Sequence, residues 1–400
     1  MLFDTNVVIV GAGPGGVTTS LYLSRYKIPH IIIDKADFPR DKICGDGLSG
    51  KVVGVLQDLN PDWIDEMQQD KSRFLDSWGV RFVAPNGQAV DLPFRINKEK
   101  PKRAPGFIAK RYDFDQFLFS KLHRGFASVF TGMRLTDAVQ ADDGMILKLQ
   151  VGKDTFEGKA KIVVAADGDH SIIAKKFAGK HLQPDAYYAG LRAYYSGVLE
   201  RHPQNFIELH FLKECLPGYF WNFPLPGDEV NVGLGILSKD VRKRGLHIKN
   251  IFESIIQFNP DIRERFKFAK LVQPVRGWRL PLAKEKHALS GEHFLLVGDA
   301  GSLVDPFTGE GIGNAMVSGQ IAAQVVNRAM EAENFSAVFL KQYDVAVYDA
   351  LWSELSLSQT LHRLVRHRHL FNFVINRINS NKRLQETFST MFNNLDNRAM

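Results

Sequence analysis

Four hundred residues, 44% hydrophobic and 24% charged, describe a soluble globular chain that is long for one domain and comfortable for two. The net charge of +7 admits an acidic partner, an anionic lipid or a phosphate-bearing substrate, but a solvated basic surface accounts for it as well. No nucleic-acid partner is expected. Cys44 and Cys215 are too far apart for a disulfide framework or a metal-ligand spacing, so no metal is expected and the usage suits a reducing cytoplasm. The chain enters an apolar strand soon after Met1 and has no apolar run long enough to span a bilayer. The expectation is a cytoplasmic protein, at most resting on a membrane surface.

In chain order, Asn6 to Val10 reads as a buried strand, followed by Gly11, Gly13 and Gly16 in G-x-G-x-x-G spacing, a helix from Val17 to Arg25, and a second strand ending in Asp34. This is the context a dinucleotide fingerprint needs. Gly11 allows the tight turn, Gly13 lets a pyrophosphate approach the backbone, Gly16 allows close helix packing, and Asp34 is placed to bond ribose hydroxyls. The polar, glycine-rich stretch Lys35 to Gly50 follows, with Gly45 and Gly47 suggesting close approach to a ligand. Within it, Lys42 is expected to lower the pKa of Cys44, whose thiol could donate a proton at a redox centre; apolar filler is the alternative. Residues 52–75 read as helical and 76–108 as short strands carrying the basic segment 98–103, a solvated loop or a site for a phosphate or an acidic electron-transfer partner. Arg111, at the start of the next helix, is placed for a phosphate.

Strand patterns recur at Leu135 to Val139, Ile146 to Val151 and Ala160 to Ala166, the last ending in Asp167-Gly168, where Asp167 could also cap a helix. A further set, Gly190 to Tyr195, Phe206 to Phe211 and Asn231 to Ile236, suggests a mixed or antiparallel sheet. In Tyr219 to Pro224 the aromatics Tyr219, Trp221 and Phe223 alternate onto one face, as in a half-buried strand. Basic helices follow between Val241 and Phe268. The stretch from Leu295 to Ala315 is the most informative: a strand, Gly298-Asp299 at its carboxyl end, then Pro306, Gly309, Gly311, Ile312 and Gly313 leading into an apolar-periodic helix. Asp299 is expected to face a ligand hydroxyl, and the open backbone N–H groups at the helix start to form an anion site. Beyond Phe335 the pattern is helical, apolar residues alternating with Arg363, Arg366, Arg368 and Arg377. A packing helix is the plain reading, a cover for a lipid tunnel on an anionic membrane the sharper one. The histidines there read as solvated.

These residues, Gly11 to Gly16, Asp34, Arg111, Asp167-Gly168 and Gly298-Asp299, resemble the flavoprotein oxidoreductases of the aromatic-hydroxylase fold. Lys42-Ile-Cys-Gly45, Asp305 to Gly313, and Tyr219 to Pro224 followed by Gly233-Leu-Gly235 look like the geranylgeranyl reductase family. The resemblance implies an α/β fold: a Rossmann-like FAD-binding domain (1–75, 105–180 and 283–334), an inserted mixed or antiparallel β-sheet substrate domain (76–104 and 181–282), and a C-terminal helical region (335–400). It implies FAD as cofactor, with Asp299 contacting its ribityl or ribose part and the helix after Gly309 stabilising negative charge on the reduced ring. Tyr219, Trp221, Phe223, Gly233 and Gly235 would then line the cavity for a prenyl-lipid substrate.

The activity so implied is saturation of isolated prenyl double bonds, hydride passing from reduced flavin N5 while Cys44 or an ordered water delivers a proton, with Tyr219 and Trp221 as further catalytic candidates. The electron donor stays open between NADPH, ferredoxin and another, because only one glycine fingerprint is present. The competing readings are an FAD monooxygenase of aromatic-hydroxylase type, a halogenase-like flavoenzyme, from whose Trp-x-Trp-x-Ile-Pro this chain departs at Tyr219 and Phe223, and a non-catalytic prenyl-lipid carrier.

Overall fold

The computed structural model describes residues 1–94, 102–179, 184–384 and 386. Apolar runs with no polar face form its first sheet. Val7, Val8, Ile9, Ile32, Ile33, Val163 and Val164 are fully buried, so their strands must be covered on both faces, as parallel strands joined by helices are. Phe3–Val10 pairs in parallel with His30–Ile33 on one side and Asp154–Ala165 on the other, and Asp154–Ala165 in turn with Phe294–Leu296. Ala127–Phe130 extends the sheet beyond His30–Ile33. The helix Pro14–Arg25 crosses over between the first two strands and packs on the helix Ile312–Glu331. Parallel pairing brings Gly11, Asp34, Asp167 and Asp299 to one edge of the sheet, the carboxyl edge where such folds bind ligands.

A second sheet of seven strands runs Lys270–Pro281, Tyr187–Ser196, Glu229–Leu237, Tyr219–Pro224, Ile207–His210, Gly79–Val83, Ala89–Pro93. It is antiparallel except where Gly79–Val83 lies parallel to Ile207–His210. The sequence reading of Tyr219–Pro224 as half-buried needs correction, since all six of its residues are buried. Tyr219, Trp221 and Phe223 do share one face, but Phe220 on the other is covered by Phe252 and Phe266 of the segment that connects Glu229–Leu237 to Lys270–Pro281.

The C-terminal helices Ala337–Val365 and Arg368–Ser380 complete the fold. The first packs on Ile312–Glu331, and the second buries Phe371, Ile375 and Ile378 against the second sheet. None of the described helices is long and apolar enough to cross a membrane. Of the basic segment 98–103, only Lys102 and Arg103 lie among the described residues, and Arg103 pairs with Asp65 at 2.9 Å.

Candidate active site

One cavity of about 920 Å³ runs from the carboxyl edge of the first sheet to the aromatic face of the second. Its polar end is built mainly from backbone. Gly11 has φ +101°, and a Cβ on Gly16 would lie 1.8 Å from the Gly11 carbonyl oxygen, so the turn closes only without side chains. Gly13 caps Pro14–Arg25 with no side-chain partner and no acid in the first turn, which leaves that helix start available to an anion. The Asp34 carboxylate accepts from the N–H groups of Ala12 (2.8 Å) and Ala36 (2.9 Å), fixing it at the end of its strand beside the cavity. Asp167, Gly168, Asp299, Gly309, Gly311 and Ile312 line the same cavity. Asp167 also accepts a long bond from Ile172 N (3.4 Å), so it serves the following helix as well.

Two expectations for this end change. Lys42 turns away from Cys44 to Asp299, 3.1 Å away, with its ammonium over the Trp278 ring. Burial pushes the Cys44 thiol up on balance, and of the cations that oppose it Arg111 acts more strongly than Lys42, which lowers the thiol as expected but only weakly. At the start of Ile312–Glu331, the Gly313 N–H is already taken by Glu310 Oε1 at 2.6 Å, so the anion site there is narrower than the glycine pattern suggests. Pro306 offers its carbonyl to Tyr188 (3.1 Å). Arg111 is buried and bidentate with Asp115 (2.6 and 2.7 Å), and lines the cavity on the Cys44 side.

The other end is built from side chains. Tyr219, Trp221, Phe223, Phe82, Leu92 and Leu209 line it. Trp221 can lie flat on its neighbour only because Gly233 has no side chain: a Cβ there would come within 2.1 Å of the indole. Gly235, the other glycine of that strand, faces Tyr188 at ordinary contact distance. Tyr219 donates to Thr308 O at 2.5 Å, tying the aromatic strand to the glycine-rich loop, and Phe223 lies against Gly45 and Gly47. Phe82 of the lining stacks with Phe211 and Phe307 behind it, centroids 5.4–6.2 Å apart, and Phe371 closes on Phe211 edge-on at 5.0 Å.

Where the two ends meet stands a group that sequence reasoning missed. Asp46 is fully buried and accepts from Tyr194 Oη and Asn231 Nδ2, each at 2.7 Å. Asn231 also donates to Cys44 O (2.7 Å) and accepts from Trp221 Nε1 (2.8 Å), so one amide joins the cysteine loop to the aromatic wall. Lys51, buried, bridges Asn314 (2.9 Å) and Glu354 (2.6 Å) and ties the long C-terminal helix to the site. The only advance signal was the density of polar residues in the 42–51 loop. Among the C-terminal histidines, His367 and His369 are exposed, but His362 packs on Tyr188 and burial pushes it down to about 4. No cluster of metal-ligating side chains occurs among the described residues.

The polar end fits FAD: the Gly16 cradle that a Cβ would fill, an uncapped helix start and acids at three strand ends are the donors and clearances a flavin dinucleotide needs. Residues 4–190 match the family described as FAD binding domain, and residues 193–276 the geranylgeranyl reductase catalytic domain. The chain is 30% identical over 366 residues to digeranylgeranylglycerophospholipid reductase 1 of Methanothermobacter thermautotrophicus, covering 89% of this chain and 85% of that one. In fold it is similar to a geranylgeranyl bacteriochlorophyll reductase-like protein of Thermoplasma acidophilum (TM-score 0.80, 22% identity, 94% and 91% of the two chains). It is also similar to a flavin-dependent brominase (TM-score 0.78, 19% identity, 98% and 93%). Taken with the cavity, these likenesses place the chain in the geranylgeranyl reductase family of FAD-dependent oxidoreductases.

Proposed function

We propose that this protein saturates isolated C=C bonds of a geranylgeranyl-type lipid chain. One observation carries the reading: the cavity that begins at the dinucleotide fingerprint continues, without a break, into a wall of aromatic and aliphatic side chains, with Cys44 at the junction. FAD, when bound and reduced, supplies the hydride. Gly11, Gly13, Gly16 and Asp34 would hold its adenosine and pyrophosphate, and Lys42, Gly45, Arg111, Asp167, Gly168, Asp299, Pro306, Gly309, Gly311, Ile312 and Gly313 the remainder. Residues 76–104 and 181–282 would form the substrate domain, a division supported by the pairing of Gly79–Val83 with Ile207–His210.

An unactivated alkene is a poor hydride acceptor, so the protein's contribution is to exclude water and hold the bond in place. Tyr219, Trp221 and Phe223 would do this, with Gly233 and Gly235 giving the wall its flatness. Cys44 would hold a proton on Sγ, and its raised pKa keeps it a thiol at neutral pH, as a donor must be. The C-terminal region would rest on an anionic membrane. Leu370 (48% exposed) and Phe373 (54%) project from Arg368–Ser380, and no acid occurs between Glu354 and Glu386 while six Arg or Lys do.

The test is a single turnover without oxygen: dithionite-reduced protein with a geranylgeranyl lipid, the lipid then weighed by mass spectrometry. A gain of two hydrogens per bond is expected. An unchanged lipid, with flavin staying reduced until oxygen enters, would favour the monooxygenase or halogenase-like reading that the brominase likeness keeps in view. Against that reading, Tyr219 and Phe223, where this chain departs from the halogenase pattern, are the residues that contact Thr308 and Gly45.

A further inference from the structure

We propose that Asp46 is the proton store behind Cys44: the proton that the thiol gives to the substrate is restored from the Asp46 carboxyl. The inference rests on the prenyl-reductase reading and deepens it. Asp46 sits two residues beyond Cys44, and its backbone hydrogen-bonds the Cys44 sulfur. It adopts φ +68°, a region glycine enters freely and aspartate only at a cost of about 1 kcal/mol, with Gly45 and Gly47 on either side.

The surroundings leave its charge under-compensated. Its side-chain partners are neutral: the Tyr194 hydroxyl, the Asn231 amide and, at 3.3 Å, the Arg111 backbone N–H. The cations facing it are engaged elsewhere, Arg111 by Asp115 and Arg192 by Asp41 (2.7 Å). Burial accordingly raises Asp46 to about 6, opposed chiefly by the Tyr194 and Asn231 hydrogen bonds. Glu208 shows the opposite design. Equally buried, it is paired with Arg265 (2.6 and 3.0 Å) and His210 (3.0 Å), and these hold it down at about 2 despite its burial. The protein clamps the Glu208 carboxylate well into its charged form and leaves Asp46 able to exchange a proton near pH 6.

The step balances. The Cys44 S–H bond breaks as a C–H bond forms on the alkene carbon that does not take the hydride, and the two electrons of that hydride come from reduced FAD. The thiolate then takes the proton from the Asp46 O–H, and the carboxylate regains one from water. A chain with several double bonds needs one proton for each, and a buried store supplies the next without opening the pocket. Asp46 acts through Cys44 and is a positioning and supplying group, not a catalytic residue.

Asp46→Asn tests this by three measurements on the FAD-loaded protein. Infrared spectra of the wild type should show a protonated-carboxyl band titrating near pH 6 that the variant lacks, the difference removing any contribution of Glu310. Iodoacetamide labelling of oxidised protein, with the Cys44 peptide separated from that of Cys215 by mass, should show the thiolate emerging about one pH unit lower in the variant, because an anionic neighbour is gone. With geranylgeraniol and excess dithionite, the variant should accumulate once-reduced lipid, later reductions slowing about tenfold more than the first.

No titrating band, or a product ladder equal to that of the wild type, overturns the proposal alone; a wild type that leaves the lipid unchanged overturns the reading beneath it. Should Asp46→Asn fail to load flavin, Tyr194→Phe decides. Loss of a donor to the charged form must raise the midpoint of the band, and an unmoved midpoint overturns the proposal.

Discussion

Around Gly11 the cavity wall is backbone, and around Trp221 it is side chain. The polar end selects by what is missing, a Cβ at Gly16 and a side-chain cap at Gly13, and offers N–H groups that no substitution elsewhere can replace. The aromatic end selects by what is present, and each ring there is held by a partner: Trp221 by Asn231, Tyr219 by Thr308, Phe211 by Phe371. Loss of function should therefore be abrupt at the first end and graded at the second.

The largest effect is expected from Gly16→Val, whose Cβ would fall 1.8 Å from the Gly11 carbonyl. The purified variant should carry no flavin absorbance, and a full complement of flavin would break the comparison. Trp221→Ala should keep its flavin and lose about 10- to 100-fold in lipid reduction through misplaced substrate, with a stability cost of about 3–5 kcal/mol measurable by denaturant melts. Trp221→Phe sharpens this by keeping an apolar wall while removing the bond to Asn231, at about 1 kcal/mol.

The next effect concerns acid. Glu208 is held at about 2 in the folded protein against an ordinary 4.5, so its contribution to stability is complete above pH 4.5 and is lost as pH falls toward 2. The size is at most about 3 kcal/mol. Thermal midpoints of the wild type should drop more steeply between pH 5 and pH 3 than those of Glu208→Gln, and parallel slopes would show that Glu208 is no better paired than the remaining acids. The smallest effect is expected on the outside. Leu370→Ser with Phe373→Ser should weaken sedimentation with anionic vesicles about fivefold without changing turnover of a detergent-dispersed lipid. Equal binding to neutral vesicles would remove the charge argument.

The polar end was largely legible in the sequence because its features are local. Gly11, Gly13 and Gly16 fall within six residues, and Asp34 and Asp299 each follow an apolar run that can only be a buried strand. The aromatic face was legible from the alternation of Tyr219, Trp221 and Phe223. What escaped was chemistry assembled across the fold. Asp46 meets Tyr194 and Asn231, more than a hundred residues away on two strands of the other sheet, and no periodicity marks such a meeting. Asn231 read only as the first residue of a strand. Lys42 was read only in part: it does oppose the rise of the Cys44 thiol, but weakly, because the fold ties it to Asp299 at 3.1 Å. The second covered face of Tyr219–Pro224 was hidden because a polar Asn222 sits within it.

The parallel pairing of Gly79–Val83 with Ile207–His210 has a consequence for how the molecule is made. Val80 meets Ile207 and Phe82 meets Leu209, residues separated by more than a hundred positions of chain. During synthesis the hairpin that carries Val80, Phe82 and Leu92 must wait, with an unpaired edge and apolar side chains in water, until its partner strand emerges. This part of the future cavity wall is thus prone to self-association in the nascent chain. Low expression temperature or a chaperone that shields this hairpin should raise the soluble yield more than any change to the nucleotide-binding sheet.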